Sequence, residues 1–409
     1  MTSILRYGVE SSLRLELPQD VLLADCEAPR GDVLENPKAA VLASLREPLD
    51  FPPLEQAAAP GDRVVLAIEP GVPQISAVTA PVVETLMNRG VEPGGITLLW
   101  RSEEAESDGE DPRAGLPQSV ASQIRLEAHD PEDRSHLSYL AATAEGQSVY
   151  LNHRLVDADL VIPIGCLRCA PMAGYNGPGG GLYPTFSDTA TLTRFRARWI
   201  AEELPPPDSR SRDEVEEVLW LVGICFTIQI VPGPGDQILK VFAGQPESVS
   251  REGQASCESA WQVPIPQRAS LVVAAIEGEQ EQQTWANVGR ALAAALRVVA
   301  HGGSIVVCCD VQANPGPALR QLRTAEDLPD VVLQIRAARP VDALPAVQLI
   351  QALDQASVYL LSRLKEDVVE ELGVAAVSKP EEVVRLAGRH DSCILLANAQ
   401  HSMPMLEGE

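Results

Sequence analysis

The chain has 409 residues, of which 45% are hydrophobic and only 4% are aromatic. This length predicts two or three domains with well-buried cores filled mainly by aliphatic side chains. The formal net charge of −25 disfavours binding to nucleic acid or to anionic lipid, because phosphate recognition needs clustered Lys and Arg.

Nothing in the sequence suggests export or a membrane span. The first ten residues lack the apolar core of a signal peptide. The longest apolar stretch, Val218–Val231, is interrupted by glycine and polar residues; we interpret it as one or two strands, too short to cross a bilayer. Eight cysteines in a chain of this length do not suggest a disulfide framework. We therefore expect a cytoplasmic protein with reduced thiols, either a monomer or a homo-oligomer.

Strand and helix patterns alternate along the first half of the chain. The apolar spacing predicts two short strands within 6–25, a helix over 37–46, a buried strand over 63–68, a helix ending near 87, strands over 95–100 and 160–164, and a helix over about 189–203. Strands that alternate with helices indicate parallel sheets covered by helices.

A second unit with the same alternation begins near residue 248. Its predicted elements are a strand over 270–276, a helix over 285–300, a buried strand over 304–309, a helix over 346–356, a strand over 358–361, a helix from 380 and a strand over 393–397. We predict an α/β protein of two domains with mostly parallel sheets around an interdomain cleft. The predicted domains are 1–247, rejoined by the tail 393–409, and 248–392.

The segment 161–188 carries most of the chemical signal. A buried strand ends in Cys166-Leu167-Arg168-Cys169 and opens into a loop rich in glycine. Such a loop at the carboxyl edge of a sheet is a usual place for a ligand. Cys166 and Cys169 have the spacing of a metal half-site or a redox pair, but two further ligands are not evident. Packing of two small thiols is the interpretation we favour, so no metal site is predicted.

Several phrases, in order along nearly the whole chain, resemble the nickel-dependent lactate racemase family. They include P-G-D-R-V-V-L-A-I (60–68), L-V-D-A-D-L-V-I-P-I-G (155–165), A-G-Y-N-G-P-G-G-G-L-Y-P (173–184) and H-G-G-S-I-V-V (301–307). The resemblance implies two α/β domains that close on a 2-hydroxy acid. It also implies a nickel pincer nucleotide that takes hydride from the substrate carbon and returns it. In the family a lysine holds this cofactor covalently, an arginine binds the substrate, two histidines act as acid and base, and a further histidine binds the nickel.

This sequence departs from the family at each of those positions. Gly71 stands where the resemblance predicts the substrate-binding arginine, and Ala105 and Ala170 stand at the two acid–base histidines. Gly180 replaces the lysine that holds the cofactor, and the nickel histidine falls near Arg196. Imidazole is the side chain that titrates near neutrality and binds such metals. We therefore expect no nickel pincer cofactor and assign no catalytic residue.

The candidate ligand-binding residues lie in the glycine-rich loop and on one helix: Asn176, Gly177, Gly179, Asn287 and Arg290. The resemblance implies a glutamine and a lysine that contact the substrate where this chain has Asn287 and Arg290. The two residues are one helical turn apart, so both side chains point the same way, and a guanidinium can bind a carboxylate there. The alternative, which we favour, is that Arg290 is an exposed arginine of the helix.

Three hypotheses about function follow. The first is a lactate racemase-like protein that has lost racemisation and binds a small acid or a partner in the cleft. The second is a divergent 2-hydroxy-acid racemase or epimerase that uses other groups, such as Cys166, Cys169, Asp188 and Arg290. The third is an assembly or regulatory protein.

Overall fold

The computed structural model describes residues 2–27, 29–101, 110–168, 179–201, 210–324 and 327–408. The strands of this part of the chain are, in order, β1 (Thr2–Tyr7), β2 (Ser11–Glu16), β3 (Leu22–Cys26), β4 (Val64–Ile68), β5 (Ile96–Arg101), β6 (Arg125–His129), β7 (Leu137–Ala142), β8 (Ser148–Asn152), β9 (Leu160–Cys166), β10 (Thr227–Pro232), β11 (Ile238–Gly244), β12 (Gln262–Ile265), β13 (Ala269–Ala275), β14 (Val299–Cys308), β15 (Ser357–Leu361), β16 (Ala375–Val377), β17 (Cys393–Leu396) and β18 (Met403–Leu406).

The helices of the same residues are α1 (Pro37–Arg46), α2 (Ile75–Asn88), α3 (Gln118–Ala121), α4 (His153–Asp157), α5 (Thr189–Ala201), α6 (Arg210–Val222), α7 (Pro246–Trp261), α8 (Trp285–Leu296), α9 (Leu328–Ala338), α10 (Ala343–Gln355), α11 (Glu366–Glu370) and α12 (Pro380–Ala387). None of these helices combines the length and the apolar character that a bilayer span requires.

Six strands form the first sheet, in the order β11-β10-β9-β4-β5-β6. All neighbouring pairs are parallel except β10 and β11, which are antiparallel. Every residue of the central strands β4 and β9 is buried. Central parallel strands are covered on both faces, which explains why these two segments read as unbroken apolar runs rather than alternating ones.

The second sheet also has six strands, in the order β16-β15-β14-β13-β17-β3, and all of its pairs are parallel. The mostly parallel, helix-covered α/β class predicted from the sequence is confirmed. The burial predicted for the strand over 304–309 is also found, and Cys308 and Cys309 at its end are almost fully buried.

The N-terminal strands lie with the second sheet. Strand β3 pairs with β17, and the antiparallel hairpin of β1 and β2 buries Leu5, Leu13 and Leu15 against side chains of β13 such as Leu271. Strand β17 is itself an interior strand of that sheet, between β13 and β3. The two sheets therefore divide the chain differently from the predicted ranges 1–247 and 248–392, because both chain ends contribute strands to the second one.

Two element predictions were wrong in detail. The stretch 218–222, predicted as strand, is the last turn and a half of α6, and β10 begins only at Thr227. The helix predicted to reach residue 300 ends at Leu296, and β14 begins at Val299. In both places an apolar run crosses a helix–strand boundary, and a run without periodicity does not distinguish the two structures.

Candidate functional site

A cleft of about 1780 Å³ lies where the carboxyl ends of the two sheets approach each other. The loop after β4 (68–75), the residues after β9, and the segment 277–284 after β13 all line it. Helix α8 contributes Asn287 and Arg290. Loops at the carboxyl edge of parallel sheets carry the ligand sites of many α/β proteins, so this cleft is the candidate functional site.

Arg168 and Glu69 form an ion pair on the floor of the cleft. Arg168 Nη1 lies 2.9 Å from Glu69 Oε1, and only 11% of the Arg168 side chain and 22% of the Glu69 side chain are exposed. The same Nη1 donates to the Cys166 carbonyl at 3.3 Å, and Nη2 donates to the Pro70 carbonyl at 3.4 Å. Arg168 Nε is buried and has no hydrogen-bond partner among the described residues. The guanidinium is thus fixed by the ends of two adjacent strands, β4 and β9.

Glycines make the space that the Glu69 carboxylate occupies. A Cβ atom at Gly165 would lie 2.6 Å from Glu69 Oε2, and one at Gly181 would lie 3.0 Å from Glu69 Cβ. The Cys166 backbone N–H also donates to Glu69 Oε2 at 2.9 Å. Gly165 and Gly181 therefore leave room for the Glu69 carboxylate, which comes from the end of the neighbouring strand β4.

Arg290 is the second guanidinium of the cleft floor. Its Nη1 donates to Asn287 Oδ1 at 2.6 Å. The Asn287 amide in turn donates to Gln282, at 2.8 Å to the carbonyl and 3.2 Å to Oε1. Thr284 caps α8 by accepting from the Asn287 backbone N–H at 3.2 Å. Asn287 therefore orients Arg290, and its own hydrogen-bonding groups are already used within the protein.

The two guanidiniums of the cleft floor are close enough to repel each other. Burial and then the charge of Arg168 lower the pKa of Arg290 to about 9, while Glu69 acts in the opposite direction. Arg290 has no ion pair among the described residues, so at neutral pH it remains a charged group with a neutral amide as its partner. Two positive charges share one carboxylate here, and the floor carries a net positive charge.

His401 is buried behind this floor. Its ring packs on Trp261 with centroids 5.3 Å apart, and neither ring nitrogen has a hydrogen-bond partner in the described structure. Burial, followed by the charges of Arg168 and Arg290, keeps the pKa of His401 well below its ordinary value. The imidazole is therefore neutral near pH 7 and adds no charge behind the two arginines.

A buried ion-pair network supports the chain just after the glycine-rich loop. Tyr183 donates its phenol to Glu214 Oε1 at 2.7 Å. Arg194 and Arg198 of α5 also reach the Glu214 carboxylate, at 2.6 and 2.7 Å. This network joins helices α5 and α6 to residues 179–187, so the wall of the cleft is held by helices behind it.

The positions where the resemblance predicts functional residues lie partly along this cleft. Gly71, Gly180 and Arg196 line it. Gly71 has a φ of +72°, and a Cβ atom there would lie 3.6 Å from Arg168 Nη2. Ala105 and Ala170 lie outside the described residues.

Of the candidate residues in and beside the glycine-rich loop, only some belong to the described part of the chain. Asn176, Gly177 and Cys169 lie outside the described residues. Gly179 is not among the residues that line the cleft. A Cβ atom there would meet the side chains of Leu219 and Val215 of α6 at 2.5 and 2.6 Å. Gly179 thus serves the packing of α6 against the wall of the cleft.

Two groups of the alternative enzyme hypothesis, Cys166 and Asp188, are engaged elsewhere. Cys166 is buried, and burial raises the pKa of its thiol to about 12. Asp188 accepts from the Thr191 backbone N–H at 3.0 Å and so caps the start of α5. Within the described residues no group of three or more His, Cys, Asp or Glu side chains is arranged to hold a metal ion.

The donor chemistry of the cleft does not fit a covalently held nickel pincer nucleotide. The described residues that line it include no lysine and no histidine. The residues outside the described part contain neither residue type, by sequence. No amine is thus in place for a covalent bond at Gly180, and no imidazole for the metal or for proton transfer.

The geometry defines a class: a two-domain α/β protein with a cleft whose floor holds two arginines. Residues 7–203 match the family model of the lactate racemase N-terminal domain. The fold is similar to that of the lactate racemase apoprotein from Thermoanaerobacterium thermosaccharolyticum, with a TM-score of 0.82 and 16% identity over 99% of this chain and 100% of that one. Residues 7–203 are therefore similar to the lactate racemase N-terminal domain, and the chain as a whole is similar in fold to a lactate racemase apoprotein.

A second solved structure, a structural-genomics protein from Thermotoga maritima, matches with a TM-score of 0.69 and 15% identity over 92% of this chain and 100% of that one. At these identities both likenesses establish the fold alone. No functionally curated protein matches the sequence.

Sequence reasoning missed Glu69 and assigned no role to Arg168. Glu69 stands 99 residues before its partner, so no local pattern connects the two. The available signal was the position of both residues directly after buried strands, since the carboxyl ends of parallel strands meet at one edge of a sheet.

Proposed function

We propose that this lactate racemase-like protein binds a small carboxylate in its cleft, at Arg290, and does not carry out nickel-pincer-dependent racemisation. The observation that carries the proposal is the pairing of Arg290 with a neutral amide, Asn287, on the floor of a cleft between two sheets. A carboxylate ligand would supply the missing counter-charge through charge-assisted hydrogen bonds.

The charge balance of the floor favours a ligand with one negative charge. Arg168 and Arg290 contribute two positive charges, and Glu69 contributes one negative charge. A monocarboxylate brings the group to neutrality, whereas a dianion leaves an excess negative charge in a poorly hydrated place. Small monocarboxylates such as glycolate and lactate are accordingly the first ligands to examine.

The described residues that line the cleft include no lysine and no histidine, which supports the second part of the proposal. Proton transfer at a carbon next to a carboxylate needs groups that titrate near the working pH. The two arginines do not meet this need at neutral pH, since even the lowered pKa of Arg290, about 9, leaves its guanidinium protonated there. The residues described at the cleft floor suit binding better than proton shuttling.

Binding is tested by titration calorimetry with D-lactate, L-lactate and glycolate, and with lactamide as an uncharged match. We expect the carboxylates to bind and lactamide not to bind. Arg290→Gln should weaken carboxylate binding at least tenfold, whereas Arg385→Gln, at a side chain that is 70% exposed, should leave it unchanged. Equal affinity for lactate and lactamide would count against the proposal.

The loss of racemisation is tested by producing the protein together with the machinery that makes the nickel pincer nucleotide. We expect no stoichiometric nickel and no interconversion of D- and L-lactate. Nickel bound in a one-to-one ratio together with turnover would overturn this part of the proposal and leave carboxylate binding to be judged by calorimetry.

A further inference from the structure

We propose that Arg168 is a second ligand-binding arginine of the cleft, and that Glu69 is an internal counter-ion with which a ligand carboxylate competes. This inference rests on the proposed carboxylate binding. It goes beyond that proposal by giving Arg168 a part in ligand binding and Glu69 a part in setting the affinity. It is carried by the position of Arg168, by the way Glu69 is held, and by the charge that the two arginines share.

The position of Arg168 places its guanidinium at the first loop of the cleft. The residue follows β9 directly and reaches across to the end of β4, where Nη2 donates to the Pro70 carbonyl. Gly71, the next residue, has only a hydrogen in place of a side chain, and its missing Cβ would stand 3.6 Å from Nη2. The cleft wall is therefore open at this point, and Arg168 lines the cleft.

The guanidinium of Arg168 has hydrogen-bonding capacity left over. Among the described residues, Nη1 is shared by Glu69 and the Cys166 carbonyl, and Nη2 makes only the long contact to the Pro70 carbonyl. Nε is buried without a partner in the described structure. Buried donors without acceptors are costly, so a site of this kind favours an additional acceptor.

Glu69 occupies the position of an anion in this site. Its two oxygens accept from Arg168 Nη1 and from the Cys166 backbone N–H, both at 2.9 Å. This combination of a guanidinium and a backbone N–H is the one that binds a carboxylate ligand in other proteins. The side chain is tethered to β4, so it neutralises Arg168 when the cleft is empty and leaves Arg290 uncompensated.

The charges of the two arginines act together. Both line the same cleft, Arg168 from the end of β9 and Arg290 from α8. A carboxylate placed at Arg290 therefore also interacts favourably with Arg168, in keeping with the pKa of Arg290, which is lowered by burial first and then by Arg168. Glu69 reduces the positive field of the two arginines, so removing its charge should tighten anion binding.

The first test is Glu69→Gln, which keeps the shape of the side chain and an oxygen acceptor. We expect affinity for lactate and glycolate to rise about tenfold, because the floor then carries two uncompensated positive charges. Affinity for lactamide should not change. Glu279→Gln removes a carboxylate from another part of the cleft lining and serves as the matched control, for which we expect little change.

The second test is the double variant Arg168→Gln with Glu69→Gln. It removes both charges of the pair together, so neither member is left as a buried charge without its partner, and we expect the fold to be kept. We expect it to lose the gain of the single variant and to bind lactate at least tenfold more weakly than Glu69→Gln does. Arg168→Lys keeps the charge without the planar fork, so its affinity for lactate should lie between that of Glu69→Gln and that of the double variant.

The outcomes separate this inference from the proposed function. Carboxylate binding that depends on Arg290 but is unchanged in Glu69→Gln and in the double variant would overturn the role of Arg168 and leave the proposed function standing. Lack of binding in both the natural protein and Glu69→Gln would overturn both. Tighter binding in Glu279→Gln equal to that in Glu69→Gln would show a general effect of charge and would also reject the inference.

Discussion

The side chain of Asn287 accepts a hydrogen bond from Arg290 Nη1 at 2.6 Å, one helical turn away on α8. The same amide donates to Gln282, which fixes which of its atoms faces the arginine. Arg290 is thereby oriented without being neutralised. A neutral partner leaves the guanidinium charge available to a ligand, and the first prediction below follows from this difference.

Replacing Asn287 by Asp should weaken carboxylate binding at least tenfold. The new carboxylate would form an ion pair with Arg290, raise the pKa of that guanidinium and compete with any ligand anion. The loss of the amide donors to Gln282 should also lower the free energy of unfolding by about 1–3 kcal/mol. Calorimetric titration with lactate and thermal unfolding measure the two effects. Unchanged affinity in a folded Asn287→Asp protein would contradict the assigned role of Asn287.

Replacing Gly165 by Ala should destabilise the fold and displace Glu69. The added Cβ would lie 2.6 Å from Glu69 Oε2 and 2.8 Å from Gln229 Oε1. Overpacking of this kind typically costs about 1–3 kcal/mol. Gly94→Ala is the matched control, because no atom lies within 4 Å of its added Cβ. Denaturant unfolding of the two variants gives the comparison, and equal stabilities would show that the described packing around Glu69 is wrong.

The buried His401 should make the fold less stable in mild acid. Its folded-state pKa is well below the ordinary value, because of burial first and then Arg168 and Arg290. Below about pH 6.5 the unfolded chain binds a proton at this residue and the folded chain does not. The free energy of unfolding therefore falls as the pH decreases, by up to about 1.4 kcal/mol per pH unit from this group, and is unaffected by it above that range.

The variant His401→Phe tests this pH dependence and keeps an aromatic ring against Trp261. Its unfolding free energy should fall less steeply between pH 6.5 and pH 5 than that of the natural protein. Replacing the exposed His301 by Gln should leave the slope unchanged. Denaturant unfolding at several pH values measures the slopes, and equal slopes in all three proteins would contradict the prediction.

Replacing Glu214 by Gln should lower the free energy of unfolding by about 3–5 kcal/mol. The carboxylate is 7% exposed and is the shared partner of Arg194, Arg198 and the Tyr183 phenol. Its loss would leave two guanidiniums without a counter-charge at the back of the cleft. Tyr183→Phe, which removes a single hydrogen bond, should cost about 1 kcal/mol. Chemical unfolding distinguishes these values, and a smaller loss for Glu214→Gln than for Tyr183→Phe would show that the network is not a stabilising one.

The matched control for that experiment is Glu216→Gln on the same helix. Glu216 pairs with Arg212 at 3.3 Å, but its side chain is 57% exposed. Exposed pairs of this kind contribute little, because water and salt screen the charges. We expect its stability to stay within about 0.5 kcal/mol of the natural protein.

The sequence alone determined the α/β class and the order of most elements. Strands β4 and β9 were found from unbroken apolar runs, since residues buried on both faces of a parallel sheet must all be apolar. The common orientation of Asn287 and Arg290 was also found from sequence, because the helical repeat fixes which side chains share a face.

Only the tertiary structure decided which strands share a sheet and which charges meet. The pairing of β3 with β17 and the contact of Glu69 with Arg168 join residues far apart in the chain. Local patterns report whether a segment is buried or exposed and leave its partner unspecified, since any parallel strand offers the same backbone hydrogen bonds. The charge of the cleft floor depends on such long-range partners, so it could be determined only once the fold had brought them together.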